Sequence, residues 1–102
     1  MIDLVTKKRE EIAGHCRRLN VRRLDVFGSA ATGAFDPEKS DLDFLVEFNN
    51  FNSPGILDRY LDLANSLEIL FNKKVDLITP DSVKNPYFRT SLEASKELVY
   101  AV

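Results

Sequence analysis

Residues 25–46 read DVFGSAATGAFDPEKSDLDFLV, and the fold turns on how this stretch divides. The apolar run Leu24 to Phe27 closes a first strand, predicted over residues 23–27. Gly28-Ser29 is a corner, Ser29 to Gly33 (SAATG) makes one or two helical turns, and a loop through Asp36-Pro37 leads to a second strand over 41–48. Strand side chains alternate faces, so Asp41 and Asp43 point the same way, about 6 to 7 Å apart along the chain, while Leu42, Phe44 and Val46 point into a core. Two carboxylates on one face form a hard-oxygen ligand set of the kind magnesium takes, and a pair of such ions clamps the attacking and leaving oxygens of an in-line displacement. The Gly-Ser corner is a phosphate cradle: glycine allows close approach to the backbone, and amides at a helix start bind anions.

Outward from this stretch, residues 2–19 have a helical stripe of Val5, Ile12, Cys16 and Leu19, with Lys8, Glu11, His15 and Arg18 on another face. Cys16 within that stripe reads as a buried structural thiol, and the lone His15 is assigned no role. Beyond the second strand, Ser53 as N-cap and Pro54 at the first helical position predict a long helix to about Phe71. Leu57, Tyr60, Leu61, Ala64, Leu67 and Phe71 form its packing stripe, and Arg59, Asp62 and Asn65 face water. Val75 to Ile78 is a short apolar strand holding Asp76, a carboxylate that needs a partner if buried. The strand-helix-strand crossover places this third strand parallel to the second, so that Asp41, Asp43 and Asp76 converge. The first and second strands are predicted antiparallel. Asn85 and Pro86 open a helix to about Glu97, and Leu98-Val99-Tyr100 is extended.

The 102 residues, 44% of them apolar, fit one compact core. Residues 1–23 hold seven Lys/Arg against three Asp/Glu, net +4, and the remainder holds seven against thirteen, net −6. An acidic main body argues against a general nucleic-acid binder. One cysteine permits no intrachain disulfide, and no signal peptide or apolar span of membrane length is present, so a cytoplasmic location is expected, with no membrane partner. Self-association is compatible with the sequence.

Duller explanations exist for each motif alone. Asp-x-Asp can be an acidic strand start on a solvated edge. Asp36, Glu38, Ser40 and Glu47 fall at positions one, three, five and twelve of a calcium-loop count, but position six is Asp41 rather than glycine, and Phe44-Leu45-Val46 continues as strand. Gly28-Ser29 lacks the Gly-Lys-Ser/Thr ending of a Walker loop. Their conjunction is more specific. VRRLDVFGSA, SDLDFLVEF and KKVDLIT, in that order, resemble the DNA polymerase beta-like nucleotidyltransferase superfamily, and at this size its minimal nucleotidyltransferases. The matching residues are Gly28, Ser29, Ala31, Gly33, Ser40, Asp41, Asp43 and Asp76.

The resemblance implies an α/β nucleotidyltransferase fold, a small mixed sheet flanked by helices, as a single domain over residues 1–102. It implies transfer of a nucleoside monophosphate from a nucleoside triphosphate, with ATP as substrate and two Mg2+ ions. Asp41, Asp43 and Asp76 would be catalytic and metal-binding, and Gly28 and Ser29 would hold the terminal phosphates. With no room for a substrate domain, the acceptor hydroxyl is expected on a partner. Minimal nucleotidyltransferases are often antitoxins that add AMP to a tyrosine of a small all-helical HEPN toxin, so such a protein is the implied partner. The rival reading is a catalytically weak binding module that neutralises its partner by occlusion. The pattern departs from the family at Thr32, where an Arg is common, and at Ala30, where another basic residue is frequent. Because a guanidinium binds phosphate bidentately and Thr does not, Thr32→Arg is expected to tighten ATP binding, as measured by calorimetry.

Overall fold

A computed structural model describes residues 1–102. In chain order it contains α1 (Asp3–Lys7), α2 (Arg9–Arg18), β1 (Val21–Phe27), α3 (Ser29–Thr32), β2 (Leu42–Phe48), α4 (Ile56–Phe71), β3 (Val75–Ile78), a 3-10 turn (Pro80–Ser82), α5 (Pro86–Ser95) and β4 (Glu97–Ala101). The sheet order is β3-β2-β1-β4. β1 pairs antiparallel with β2 and with β4, and β2 pairs parallel with β3. The mixed sheet flanked by helices, with these strand directions, is the architecture expected.

Alternation along the strands separates two apolar layers. Val21, Leu24 and Val26 of β1, with Leu42, Phe44 and Val46 of β2, join Val5, Ile12, Cys16, Leu63, Leu67 and Phe71 in the main core. On the other face, Phe27, Leu45, Val83 and Leu92 form a smaller cluster beneath α5. The predicted helix over 2–19 is two helices broken at Lys8, whose backbone leaves helical geometry at φ −103°, ψ 9°. The Lys8 amide donates to the Val5 carbonyl at 3.1 Å, three residues back rather than four, so the first helix tightens and ends there. Val5, Ile12, Cys16 and Leu19 remain buried on both sides of the break. β1 begins two residues earlier than predicted, at Val21.

The start of α4 also differs. Ser53 makes no cap. Its amide closes a turn onto the Asn50 carbonyl, and Gly55 takes a left-handed conformation at φ 85°, so helical geometry begins only at Ile56. The inward stripe is correspondingly rotated: Leu63, Leu67 and Phe71 are buried, whereas Leu57 and Leu61, expected in the core, are 65% and 54% exposed. Arg59, expected to face water, instead staples the fold. It donates to the carbonyls of Leu19, Asn20 and Asn49 at 2.8–2.9 Å and lies 4.9 Å over the Phe48 ring. The end of α2 is thereby tied to the end of β2. Helix α5 starts as predicted, with the Asn85 side chain accepting from the amides of Tyr87 and Phe88. Glu97, expected at the end of that helix, belongs to β4 instead.

The one fully buried carboxylate is Asp25, 1% exposed, rather than Asp76, which is exposed. Asp25 is held by a two-pronged pair with Arg23, Nε to Oδ2 at 2.9 Å and Nη2 to Oδ1 at 3.1 Å. Removing the arginine would leave a buried charge without its donor. Arg23→Met is therefore expected to lower the free energy of unfolding by about 3 kcal/mol, measured by urea titration, and the double change Arg23→Met with Asp25→Leu to restore most of it.

Candidate functional site

Three chain segments meet where β1 ends and β2 begins. In the β1–β2 ladder, Phe27 lies opposite Asp43, so the corner that follows Phe27 folds over that carboxylate. Gly28 takes φ 67°, and a Cβ built there would stand 2.6 Å from the Asp43 Oδ2. Only glycine fits. At the start of α3, the amides of Ser29 and Ala30 donate to no acceptor within the chain, whereas those of Ala31 and Thr32 bond to the Gly28 carbonyl. Unclaimed amides therefore stand beside a carboxylate cluster.

In the parallel β2–β3 ladder, Asp43 is the partner of Asp76. Paired residues of a ladder point to the same face, so the two carboxylates are neighbours, and Asp43 is pushed up from the ordinary 3.8 to about 6. Burial is the largest cause, the charge of Asp76 and its hydrogen bond follow, and the charge of Asp41 adds a smaller share. Asp41 stands just before β2, with its Oδ2 3.9 Å from the Lys74 Nζ. Thus Asp43 and Asp76 stand side by side near Gly28, and Asp41 lies within charge range of Lys74 and of Asp43. Thr32, at the motif-Arg position, is exposed.

Lys74 was not anticipated from sequence, although strand alternation carries the signal, since it precedes Asp76 by two residues and so shares its side. Also missed was a cleft of about 520 Å3 around β3, where Phe27, Phe88, Tyr60 and Ala64 accompany Asp43 and Asp76. Its aromatic members come from three separate elements, which no local pattern connects.

No group of three or more His, Cys, Asp or Glu side chains is placed to hold a metal ion, so the expected convergence of Asp41, Asp43 and Asp76 is met by the Asp43–Asp76 pair and not by all three together. The carboxylates instead offer a partial, open set of hard oxygens. Magnesium characteristically takes one or two protein carboxylates and completes its shell with water and substrate phosphates. Mutual repulsion of Asp43 and Asp76 is the kind of strain that a divalent cation relieves, so the residues present fit the ion.

A sheet that holds paired aspartates beneath a Gly-Ser corner defines a nucleotidyl-transfer scaffold. The family model of the nucleotidyltransferase domain matches residues 9–99, and the chain belongs to that family, among its minimal members. It is 41% identical over 83 residues to a protein of Methanocaldococcus jannaschii provisionally named a protein adenylyltransferase, covering 81% of this chain and 79% of that protein. It is 37% identical over 83 residues to the protein adenylyltransferase MntA of Thermococcus cleftensis, covering 81% and 77% respectively. Among solved structures, one provisionally described as a minimal nucleotidyltransferase superposes with a TM-score of 0.74 at 32% identity, over 94% of this chain and 95% of the other. The fold is shared more distantly, at 16% identity and a TM-score of 0.61, with a structure of a tri-AMPylated Shewanella oneidensis HEPN toxin in complex with its MNT antitoxin, over 96% of this chain and 73% of that one.

Because the native Asp43 holds its proton more tightly than the unfolded chain does, its contribution favours folding below about pH 4 and is lost as pH rises through about 6. Ionised Asp43 opposes folding at neutral pH. Asp43→Asn is expected to raise the melting temperature of the metal-free protein at pH 7.5, with the difference shrinking towards pH 4, as followed by circular dichroism.

Proposed function

We propose that the chain transfers AMP from ATP to a hydroxyl of a protein partner, with Mg2+, and that the partner is a small all-helical toxin of the HEPN type. The observation that carries this reading is the pairing of Asp43 with Asp76 across the β2–β3 ladder beside Gly28, with Asp41 just before it in the chain. The names of the relatives in Methanocaldococcus and Thermococcus support adenylyl transfer to protein, and the Shewanella complex supports the choice of partner.

Asp41, Asp43 and Asp76 would hold the magnesium ions, Asp41 and Asp43 on the nucleotide side and Asp76 on the acceptor side. Bound there, magnesium supplies Lewis acidity and neutralises phosphate charge. The free amides of Ser29 and Ala30, with the Ser29 hydroxyl, bind the β and γ phosphates, and Gly28 lets them approach the backbone. Lys74 adds the positive charge that Thr32 cannot supply. The acceptor oxygen forms a bond to the α-phosphorus as the bond from that phosphorus to the bridging oxygen breaks. Pyrophosphate leaves with the electron pair, and the hydroxyl proton passes to Asp76. Alignment of acceptor and phosphorus accounts for several kcal/mol of barrier, and the partner supplies that alignment.

The exposed Thr32 favours one second reading, in which the chain binds its partner and inhibits it by occlusion. Intact-mass analysis of a co-purified partner after incubation with ATP and Mg2+ decides between them. One or more AMP increments are expected, lost with EDTA or Asp41→Asn. A partner that is bound and inhibited at unchanged mass would overturn transfer in favour of occlusion.

A further inference from the structure

β3 is the outer strand of the sheet, so one of its backbone edges has no strand beside it. In a parallel ladder, alternate residues bond to a given neighbour. The Leu42 amide donates to the Lys74 carbonyl at 3.2 Å, which assigns Lys74, Asp76 and Ile78 to the β2 side. The N–H and C=O groups of Val75 and Leu77 therefore face outward. Helix α4 satisfies half of them: the Val75 amide donates to the Glu68 carboxylate at 3.3 Å, and the Leu77 carbonyl accepts from the Tyr60 hydroxyl. Midway between these two caps at helical spacing sits Ala64, whose methyl leaves a gap. The Val75 carbonyl and the Leu77 N–H have no partner in the chain, and the cleft opens at that place.

This single acceptor and single donor flank Asp76. A main chain that engages both, in either direction, must set one of its residues opposite Asp76. Alternation then puts that residue's side chain on the face of the Asp76 and Asp43 carboxylates, with Cβ atoms about 4.5–5.5 Å apart in the antiparallel case. Phe88 and Phe27, in edge-to-face contact at 6.1 Å, wall the cleft on that same face.

We propose that the acceptor protein docks an extended segment as an added strand on the outer edge of β3, in the register that sets its hydroxyl-bearing residue opposite Asp76. The docking rests on the reading of the site as a protein nucleotidyltransferase and says how that substrate is held. The occupant is polypeptide because a main chain supplies both an amide and a carbonyl at strand spacing. Glu68 and Tyr60 cap the edge to either side, so the segment is admitted in one register only.

Ala64→Phe fills the gap while Asp41, Asp43, Asp76, Gly28 and Ser29 keep their identities, and Ala64→Ser keeps it open. The probe is an array of short peptides with a central tyrosine, serine or threonine between β-branched residues, incubated with α-labelled ATP and Mg2+. Wild-type protein and Ala64→Ser are expected to label peptides, and calorimetry is expected to give all three proteins the same ATP affinity. Ala64→Phe is expected to lower labelling by about tenfold or more, as does N-methylation of the peptide amide that donates to Val75, in keeping with lost main-chain hydrogen bonds. Labelling that survives both changes overturns the docking, and so does a protein that binds ATP and labels no peptide. A wild-type protein that binds no ATP overturns the site reading itself, and the docking with it.

Discussion

The parallel pairing of β3 with β2 sets the Asp76 carboxylate beside that of Asp43, and the rest of the molecule is arranged to hold two like charges as neighbours. The register is enforced from the opposite face. Leu42, Phe44, Val75 and Leu77 all bury their side chains in the main core, each contributing about 1.5–3 kcal/mol by burial. A slip of one residue would turn Asp76 into that core and Val75 and Leu77 out of it. The apolar rows outweigh a repulsion that half-exposed carboxylates partly share with water. The acidic pair is thus a local cost imposed by packing that is favourable on the reverse side.

The far ends of the same strands are fastened by cations. Arg59 joins the carbonyls that precede β1 and follow β2, and Arg23 neutralises the buried Asp25 within β1. Charge is therefore satisfied at one end of the central hairpin and left unsatisfied at the other. Rigid anchoring away from the carboxylates leaves Gly28, Ser29 and the aspartates held in place while their polar groups stay open to an incoming ligand.

Much of this was legible in the sequence because it is encoded locally. Alternation along Leu42 to Val46, the Asn85-Pro86 helix start and the crossover from β2 to β3 each depend on residues near one another in the chain, and each is found in the structure. The pairing of Asp43 with Asp76 followed from that topology. What escaped depends on distant partners. The stripe on α4 misled because Leu57, Leu61 and Leu67 share a helical period with the buried face, yet only the docked orientation of the helix decides which leucines are covered. Arg59 looked solvated because its three carbonyl acceptors lie 10 to 40 residues away. Asp25 went unremarked beside Asp76, although Arg23 stands two positions before it on the same side of the strand.

Cys16 offers a consequence of a different kind. Its thiol lies fully buried between Val5, Ile12 and the sheet, and burial pushes it up to about 12. Because the thiolate is the reactive form, alkylating reagents meet almost none of it at neutral pH while the core is intact. Being the chain's sole cysteine, it works as a built-in clock: the rate at which label accumulates on it counts openings of the layer between α2 and the sheet, with no engineered probe and no signal from the rest of the molecule.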